Sequence, residues 1–248
     1  MNEEINLLQI LREEKQMRLK GGLYHQTQIK LCYNSNRIEG SRLSEDQTRY
    51  IFETNTLGVA PNETADVDDV IETSNHFAAF DYMLEYADEP LTEEIIKNLH
   101  RILKSSTSDS RKNWFRVGDY KLRPNVVGDT KTTAPGKVAA DINKLLTKYT
   151  QKESVRFTDI IAFHVCFERI HPFQDGNGRV GRLILFKECL KNNITPFIID
   201  HEHKQFYYRG LKEFDVEQGY LTDTCFSAQD TYAAQVAYFF PAKQDDMV

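Results

Sequence analysis

The chain has no apolar run long enough to cross a bilayer, and its 248 residues include only 12 glycines, 7 prolines and one tryptophan. The first absence argues against a membrane-spanning helix. The scarcity of helix breakers excludes a collagen-like or low-complexity chain and points to regular structure. Basic charge is not in excess: 31 Lys and Arg stand against 37 Asp and Glu, a formal net charge of −6. There is therefore no global attraction for nucleic acid or an anionic membrane, and any anion site must be local. The four cysteines, Cys32, Cys166, Cys189 and Cys225, form no C-x-x-C and no paired spacing, which excludes a disulfide framework or a zinc ribbon. Cys166 and Cys189 lie among large apolar residues and read as reduced core thiols. The opening residues, Met1-Asn2-Glu3-Glu4-Ile5, lack the basic start and apolar stretch of a secretory leader, so the expected compartment is the cytoplasm. The length suits one domain over residues 1–248 with one large core.

What is present is helical periodicity along nearly the whole chain. After Thr92, a natural N-cap, Ile95, Ile96, Leu99, Ile102 and Leu103 form one stripe, with Glu93 and Glu94 complementing the helix dipole. Similar patterns run over 5–19, 24–38, 44–55, 66–86, 137–149 and 222–240, and nine to eleven helices are expected in an all-α fold. The segments Ile160 to Phe167 and Leu183 to Leu190 are apolar on all sides and belong at the centre of a bundle. Only 105–135 resists a helical reading. Its β-branched residues around Gly128-Asp129 suggest a short hairpin over about 126–134.

Between the two apolar helices lies His171-Pro172-Phe173-Gln174-Asp175-Gly176-Asn177-Gly178-Arg179-Val180-Gly181-Arg182. Pro172 disfavours helical geometry at His171, so the first helix should stop there and leave the imidazole facing a loop. Gly176 and Gly178 let the backbone turn around Asn177 with its amides converging, and a helix starting near Gly178 adds free N–H groups and a dipole that favour an anion. Arg179 and Arg182 share one face of that first turn, which suits a polyphosphate. Asp175 offers the single carboxylate that Mg²⁺ commonly takes when phosphates and water complete its shell. His171, with an ordinary pKa near neutrality, is the candidate general base. Together the parts describe nucleotide-dependent transfer to a hydroxyl. Any one of these residues is more often structural; eight specified types at fixed spacing have a chance frequency on the order of 10⁻¹⁰ per position.

The segment resembles the Fic-family signature H-x-F-x-[D/E]-G-N-G-R-x-x-R at every specified position. The resemblance implies a Fic-type helical bundle with a short β-hairpin, the flap, and transfer of AMP from ATP to a Ser, Thr or Tyr hydroxyl of a protein, with ATP and Mg²⁺ as cofactors. It assigns His171 as base, Asp175 as metal ligand, Gly176, Asn177 and Gly178 as the phosphate cradle, and Arg179 and Arg182 as holders of the outer phosphates. It also places the flap at Val127, Gly128, Asp129, Thr130, Lys131 and Thr132, where target segments add as strands. Downstream, Phe206 to Leu211 resembles the region bordering adenine, which puts Tyr208 and Leu211 near the base.

Upstream, Ser35-Asn36-Arg37-Ile38-Glu39-Gly40 fits [S/T]-x-x-x-E-[G/N], the mark of an inhibitory helix in this family, here spanning about 24–39. Ser35 and Glu39 share a face, and Gly40 suits a left-handed C-cap that leaves Glu39 at the helix tip, where a carboxylate needs a cation. Arg182 is the expected partner, and the pairing would exclude the γ-phosphate. The pattern alone arises by chance in about one chain in five of this length, and gains weight from the signature that follows it.

Other readings compete with autoinhibited AMP transfer. Glu39 could activate water for AMP removal. Phosphate transfer from a reversed nucleotide, as in the Doc branch, is disfavoured by Arg182. A non-catalytic, nucleotide-gated interaction protein is the alternative of another class; the acidic tail with Asp245 and Asp246 leaves no room for a C-terminal winged helix, and no nucleic-acid or membrane partner is expected. The expected partner is a target protein, with self-modification and a homodimer as further options. Asp200-His201-Glu202-His203 reads as a solvated loop rather than a metal cluster, and His164 as a core residue with a hydrogen-bond partner.

Overall fold

The computed structural model describes residues 6–128 and 130–241; Ile5, Asp129, Asp245 and Asp246 lie outside them. Among the described residues ten α-helices run in chain order: α1 Leu7–Met17, α2 Leu23–Ile38, α3 Glu45–Thr54, α4 Val67–Glu85, α5 Glu93–Lys104, α6 Val138–Thr150, α7 Phe157–Ile170, α8 Asn177–Lys191, α9 Lys204–Glu213 and α10 Gly219–Phe239. Two strands, β1 Val126–Val127 and β2 Thr130–Lys131, pair antiparallel with Val126 opposite Lys131 and Val127 opposite Thr130. The all-α reading with one hairpin therefore holds.

The helix boundaries follow local chemistry. Thr92 Oγ1 accepts from Ile95 N at 3.2 Å, and Ser44 and Gln47 exchange the reciprocal bonds of a capping box at 3.1 and 2.9 Å. Asp66 accepts from Asp68 N at 2.9 Å to start α4. Asn55 ends α3 in the left-handed region at φ 54°.

α8 is the axis of the molecule. Every residue from Asn177 to Leu190 is buried, and α1, α2, α4, α5 and α7 all pack on it. On one side Phe186 joins Phe80 of α4, Leu99 of α5, Phe167 of α7 and Tyr232 of α10 in the main core. On another, Leu185 joins Ile38, Ile160, Tyr207 and Leu221 in a second cluster. Because α8 has no solvent face, its charged residues must be paired inside: Lys187, fully buried, donates to Glu89 O at 2.7 Å and to Glu188 Oε1 at 2.9 Å. Gly181 permits the approach of α7, since a methyl there would stand 2.6 Å from Glu168 Oε1 and 2.8 Å from His164 Cε1.

Three expectations need correction. α7 is not buried all round: Thr158, Cys166 and Arg169 are exposed along one strip. Cys166 is accordingly an exposed thiol and not a core one, whereas Cys32, Cys189 and Cys225 are buried; all four are free. The last helix also starts earlier than its pattern suggested, at Gly219. The segment Asp200 to His203 forms a short 3₁₀ turn in which Asp200 Oδ1 accepts from Glu202 N at 2.8 Å and Asn34 Oδ1 accepts from His201 N at 2.9 Å.

Gly210 of α9 faces the backbone of α10, and a methyl there would sit 2.7 Å from Leu221 Cα. Backbone cannot step aside as a flexible side chain can, so Gly210→Ala is expected to part the two helices and destabilise the chain by about 1–3 kcal/mol, read as a lowered urea midpoint. An unchanged midpoint would contradict the packing.

Candidate active site

The signature loop is built by backbone conformation first. α7 ends at Ile170, and His171 takes the left-handed conformation at φ 50° and ψ 63°, which turns the chain out of the helix before Pro172. Gly176 is also left-handed, at φ 80°, and caps α8 without a side-chain bond. Between them Asn177 closes the loop: its Oδ1 accepts from Phe173 N at 2.8 Å and its Nδ2 donates to Phe173 O at 2.9 Å. The Asn177 side chain is thus engaged with the loop itself, and what it offers an anion is its backbone N–H in the first turn of α8.

His100 of α5 supports the loop from below. Its ring stacks on Phe173 at 3.9 Å and 1°. Nδ1 accepts from Gly118 N at 2.9 Å, so Nε2 carries the proton and donates to Asp175 O at 3.1 Å. His171 follows similar logic. Its Nδ1 lies 3.3 Å from Glu168 O, and a carbonyl can only accept, so Nδ1 is protonated and Nε2 keeps its lone pair. Burial, with the Lys121 charge assisting, lowers the His171 pKa and favours this neutral ring.

The two arginines have separate partners. Arg182, 3% exposed, donates through Nε to Ser35 Oγ at 3.0 Å and through Nη2 to Ser35 O at 2.9 Å and Glu39 Oε1 at 2.8 Å. Against the penalty of burial, the Glu39 charge raises its pKa. Arg179, also buried, donates through Nη1 to Glu72 Oε2 and through Nη2 to Asp175 Oδ2 at 3.1 Å. The Glu39 carboxylate, at the C-cap of α2, stands over the start of α8: a methyl on Gly178 would overlap its Oε1. Gly40 follows at φ 103°.

Asp175 Oδ2 also accepts from Lys104 Nζ at 2.7 Å. Although burial opposes it, the Arg179 and Lys104 charges hold the Asp175 carboxyl well below the usual carboxylate range. Among the described residues no group of three or more His, Cys, Asp and Glu side chains could hold a metal ion. A site for Mg²⁺ would therefore rest on Asp175 alone, whose side chain is 47% exposed and whose Oδ1 accepts from no side chain among the described residues; that fits a cation completed by phosphate and water.

The hairpin is bolted to the loop by Lys121. Its Nζ donates to Asn125 Oδ1 and Thr132 Oγ1, both at 2.7 Å, and to Ile170 O at 3.3 Å, while its N–H donates to Pro172 O at 2.9 Å. Burial pushes its ammonium down to about 8. Val126 and Val127 are exposed, as are Thr130 and Gly128, the latter at φ 56°; Lys131 and Thr132 complete the run, and Asp129 is outside the described residues. Tyr208 donates its hydroxyl to Ile38 O at 3.0 Å, beside Glu39, and Leu211 packs on the second cluster.

A family model described as Fic/DOC family matches residues 90–188. The chain is similar to a protein adenylyltransferase Fic of Aedes aegypti, 27% identical over 192 residues that cover 74% of this chain and 36% of that protein. A protein adenylyltransferase Fic of Nematostella vectensis is 25% identical over 186 residues, 73% of this chain and 42% of that protein. The chain thus spans less than half the length of these relatives. A crystal structure of a Fic domain containing signaling protein from Bacteroides thetaiotaomicron superposes with a TM-score of 0.71 at 25% identity, covering 95% of this chain and 88% of that one. No helix of the described residues is long and apolar enough to cross a membrane.

Sequence reasoning missed Glu72, Lys104, Lys121, Glu168 and His100 at this site. A signal existed for two of them: His100 and Lys104 lie four apart beside the apolar stripe of Ile96, Leu99 and Leu103, where a polar residue must find a partner. Glu168 left none. Its carboxyl is pushed up to about 8 by burial and by the neighbouring Glu39 charge.

Burial holds His76, His100 and His164 neutral, each lowered to about 3. His164 Nε2 meets Tyr207 Oη at 2.6 Å, whereas both nitrogens of His76 lack a partner among the described residues. Below pH ~6.5 the unfolded chain protonates all three histidines and the folded chain does not. Glu168 works oppositely, since its folded form takes up a proton below about 8. For these four groups the difference approaches two protons by pH 5, so they should lower stability by roughly 2 kcal/mol per unit between pH 6.5 and 5, and the lowered pKa values of His25 and His171 act in the same direction. Urea denaturation would measure this, and His76→Leu should remove about one proton from the slope; a flat profile would contradict the burial of these rings.

Proposed function

We propose that this chain is an autoinhibited protein adenylyltransferase that moves AMP from ATP to a Ser, Thr or Tyr hydroxyl of a protein. The observation that carries this reading is the Glu39 carboxylate, 2.8 Å from Arg182 and lying on the N-terminus of α8. An anion site made of free N–H groups and a buried guanidinium is already filled by an anion from the same chain. A terminal phosphate would compete for that place, so Glu39 keeps ATP from seating with its α-phosphate in line for attack.

The remaining residues fit the reaction. Backbone N–H groups of Gly176, Asn177 and Gly178 receive the phosphates, with Arg182 on the outermost group once Glu39 leaves. Arg179, paired with Glu72 and Asp175, supplies charge from beneath. Asp175 would hold Mg²⁺, which when bound neutralises phosphate charge. His171 Nε2 takes the proton from the target hydroxyl; the hydroxyl oxygen bonds to the α-phosphorus, and the bond to the oxygen bridging the β-phosphate breaks to release pyrophosphate. The exposed edge of the hairpin aligns the target chain by backbone pairing, and Tyr208 and Leu211 border the adenine. Four free thiols fit a reducing compartment, and the cytoplasm is our assignment.

Incubation with Mg²⁺ and ATP followed by intact-mass measurement tests the reading, with this chain as the first acceptor and a cell extract as the second. Glu39→Gly should raise AMP incorporation by at least about tenfold, and Glu39→Gly/His171→Ala should abolish it. Equal incorporation by wild type and Glu39→Gly would overturn autoinhibition. Loss of AMP from a modified protein with wild type but not with Glu39→Gly would instead make Glu39 the base for AMP removal.

A further inference from the structure

The carboxylate assigned to the divalent cation is already held by a lysine that the signature does not contain. Lys104, in the last turn of α5, is 2% exposed. Its Nζ donates to Asp175 Oδ2 at 2.7 Å, to Asp109 Oδ2 at 3.1 Å and to Glu72 Oε1. Glu72 also accepts from Arg179, and Arg179 returns to Asp175 Oδ2 at 3.1 Å. Four charged side chains, from α4, α5, the signature loop and α8, close a ring in which one carboxylate oxygen receives both a lysine and an arginine.

We propose that Lys104 is a fixed internal cation that orients Asp175 and weakens the hold of this site on a divalent cation, a positioning residue whose assignment rests on the nucleotide-binding reading above. The ammonium fixes the carboxylate plane through Oδ2 and leaves Oδ1 as the oxygen open to a metal. Any metal at Oδ1 then lies close to two positive charges bound to the other oxygen, both on buried side chains. The same ammonium supplies positive charge beside the phosphate cradle whether or not a metal is present. Nucleotide affinity in this chain therefore depends only weakly on divalent cations.

The test uses the whole chain, Mn²⁺ and ADP. Mn²⁺ is titrated with and without saturating ADP and followed by the electron paramagnetic resonance signal of the free ion; ADP is titrated calorimetrically in EDTA and in Mn²⁺. Lys104→Met should bind Mn²⁺ about tenfold or more tightly than wild type, with and without ADP, and should bind ADP in EDTA about tenfold more weakly. Lys104→Arg, which keeps the charge, should stay within about threefold of wild type, and Lys104→Met/Asp175→Asn should lose the gain in Mn²⁺ affinity. Unchanged or weaker Mn²⁺ binding by Lys104→Met would overturn the proposal. Should Lys104→Met not fold, Lys104→Met/Glu72→Gln removes one charge of each sign and carries the same expectation. Failure of ADP to bind both wild type and Glu39→Gly would remove the nucleotide reading instead, and the Mn²⁺ titration without ADP would still decide the role of Lys104.

Discussion

Two guanidinium groups one turn apart, buried at the start of a helix with no solvent face, set the terms for the rest of this structure. Arg179 and Arg182 stand where the dipole of α8 is positive, so each repels the other and the helix end behind it. Leaving either unpaired would cost about 3–5 kcal/mol. Carboxylates must therefore face them: Asp175 comes from the loop just before α8, while Glu39 and Glu72 come from α2 and α4, neither of which is adjacent to α8 in sequence. That requirement explains why α2 and α4 both lie against the start of α8, and why their polar residues face inward there.

The two solutions differ in permanence. Arg179 is neutralised by Glu72 and Asp175, both of which are also tied to Lys104, so releasing one partner strands several charges at once. Arg182 is held by two oxygens of Ser35, buried in α2, and by one oxygen of Glu39, whose side chain is 29% exposed at the helix tip. The Ser35 bonds hold the guanidinium independently of Glu39, whose carboxylate is the more exposed partner. The autoinhibition proposed above uses that difference: on that reading a phosphate would replace Glu39 without moving the arginine.

The legible and illegible parts of the sequence divide along the same line. Features set by neighbours in the chain were readable: the stop at His171-Pro172, the turn at Gly176, the stripe of α5 and the pairing of Ser35 with Glu39 on one face. The hairpin was readable from Gly128 and its β-branched flanks. Apart from the Glu39–Arg182 pair, which the family resemblance supplied, contacts between residues far apart in the chain were not. Glu72 lies 107 positions from Arg179 and Lys104 lies 71 from Asp175; nothing in the local pattern distinguishes Glu72 from a solvated surface charge, and the place of Lys104 beside the α5 stripe signals burial without naming its partner. Cys166 failed for the opposite reason: its apolar neighbours on α7 face inward, while the helix turn puts Cys166 itself on the strip with Thr158 and Arg169. Asn177 looked like part of a cradle and its side chain is a clasp, since an amide can close a loop with both its donor and its acceptor.

Lys121 connects the hairpin to this charge logic. It is buried among neutral acceptors only, two carbonyl oxygens and a hydroxyl, with no carboxylate among its bonded partners. A lysine so placed gains three hydrogen bonds but no opposite charge, which is why burial lowers its pKa while Lys104, facing three carboxylates, has its own raised. The consequence is mechanical as well as electrostatic. Lys121 draws Asn125 and Thr132, the two feet of the hairpin, onto the backbone around His171, so the strand edge and the imidazole are fixed by the same ammonium. On the proposed reading, a target chain paired along that edge would be registered against His171 through backbone alone, which would make the position of the accepting hydroxyl a matter of register rather than of side-chain recognition.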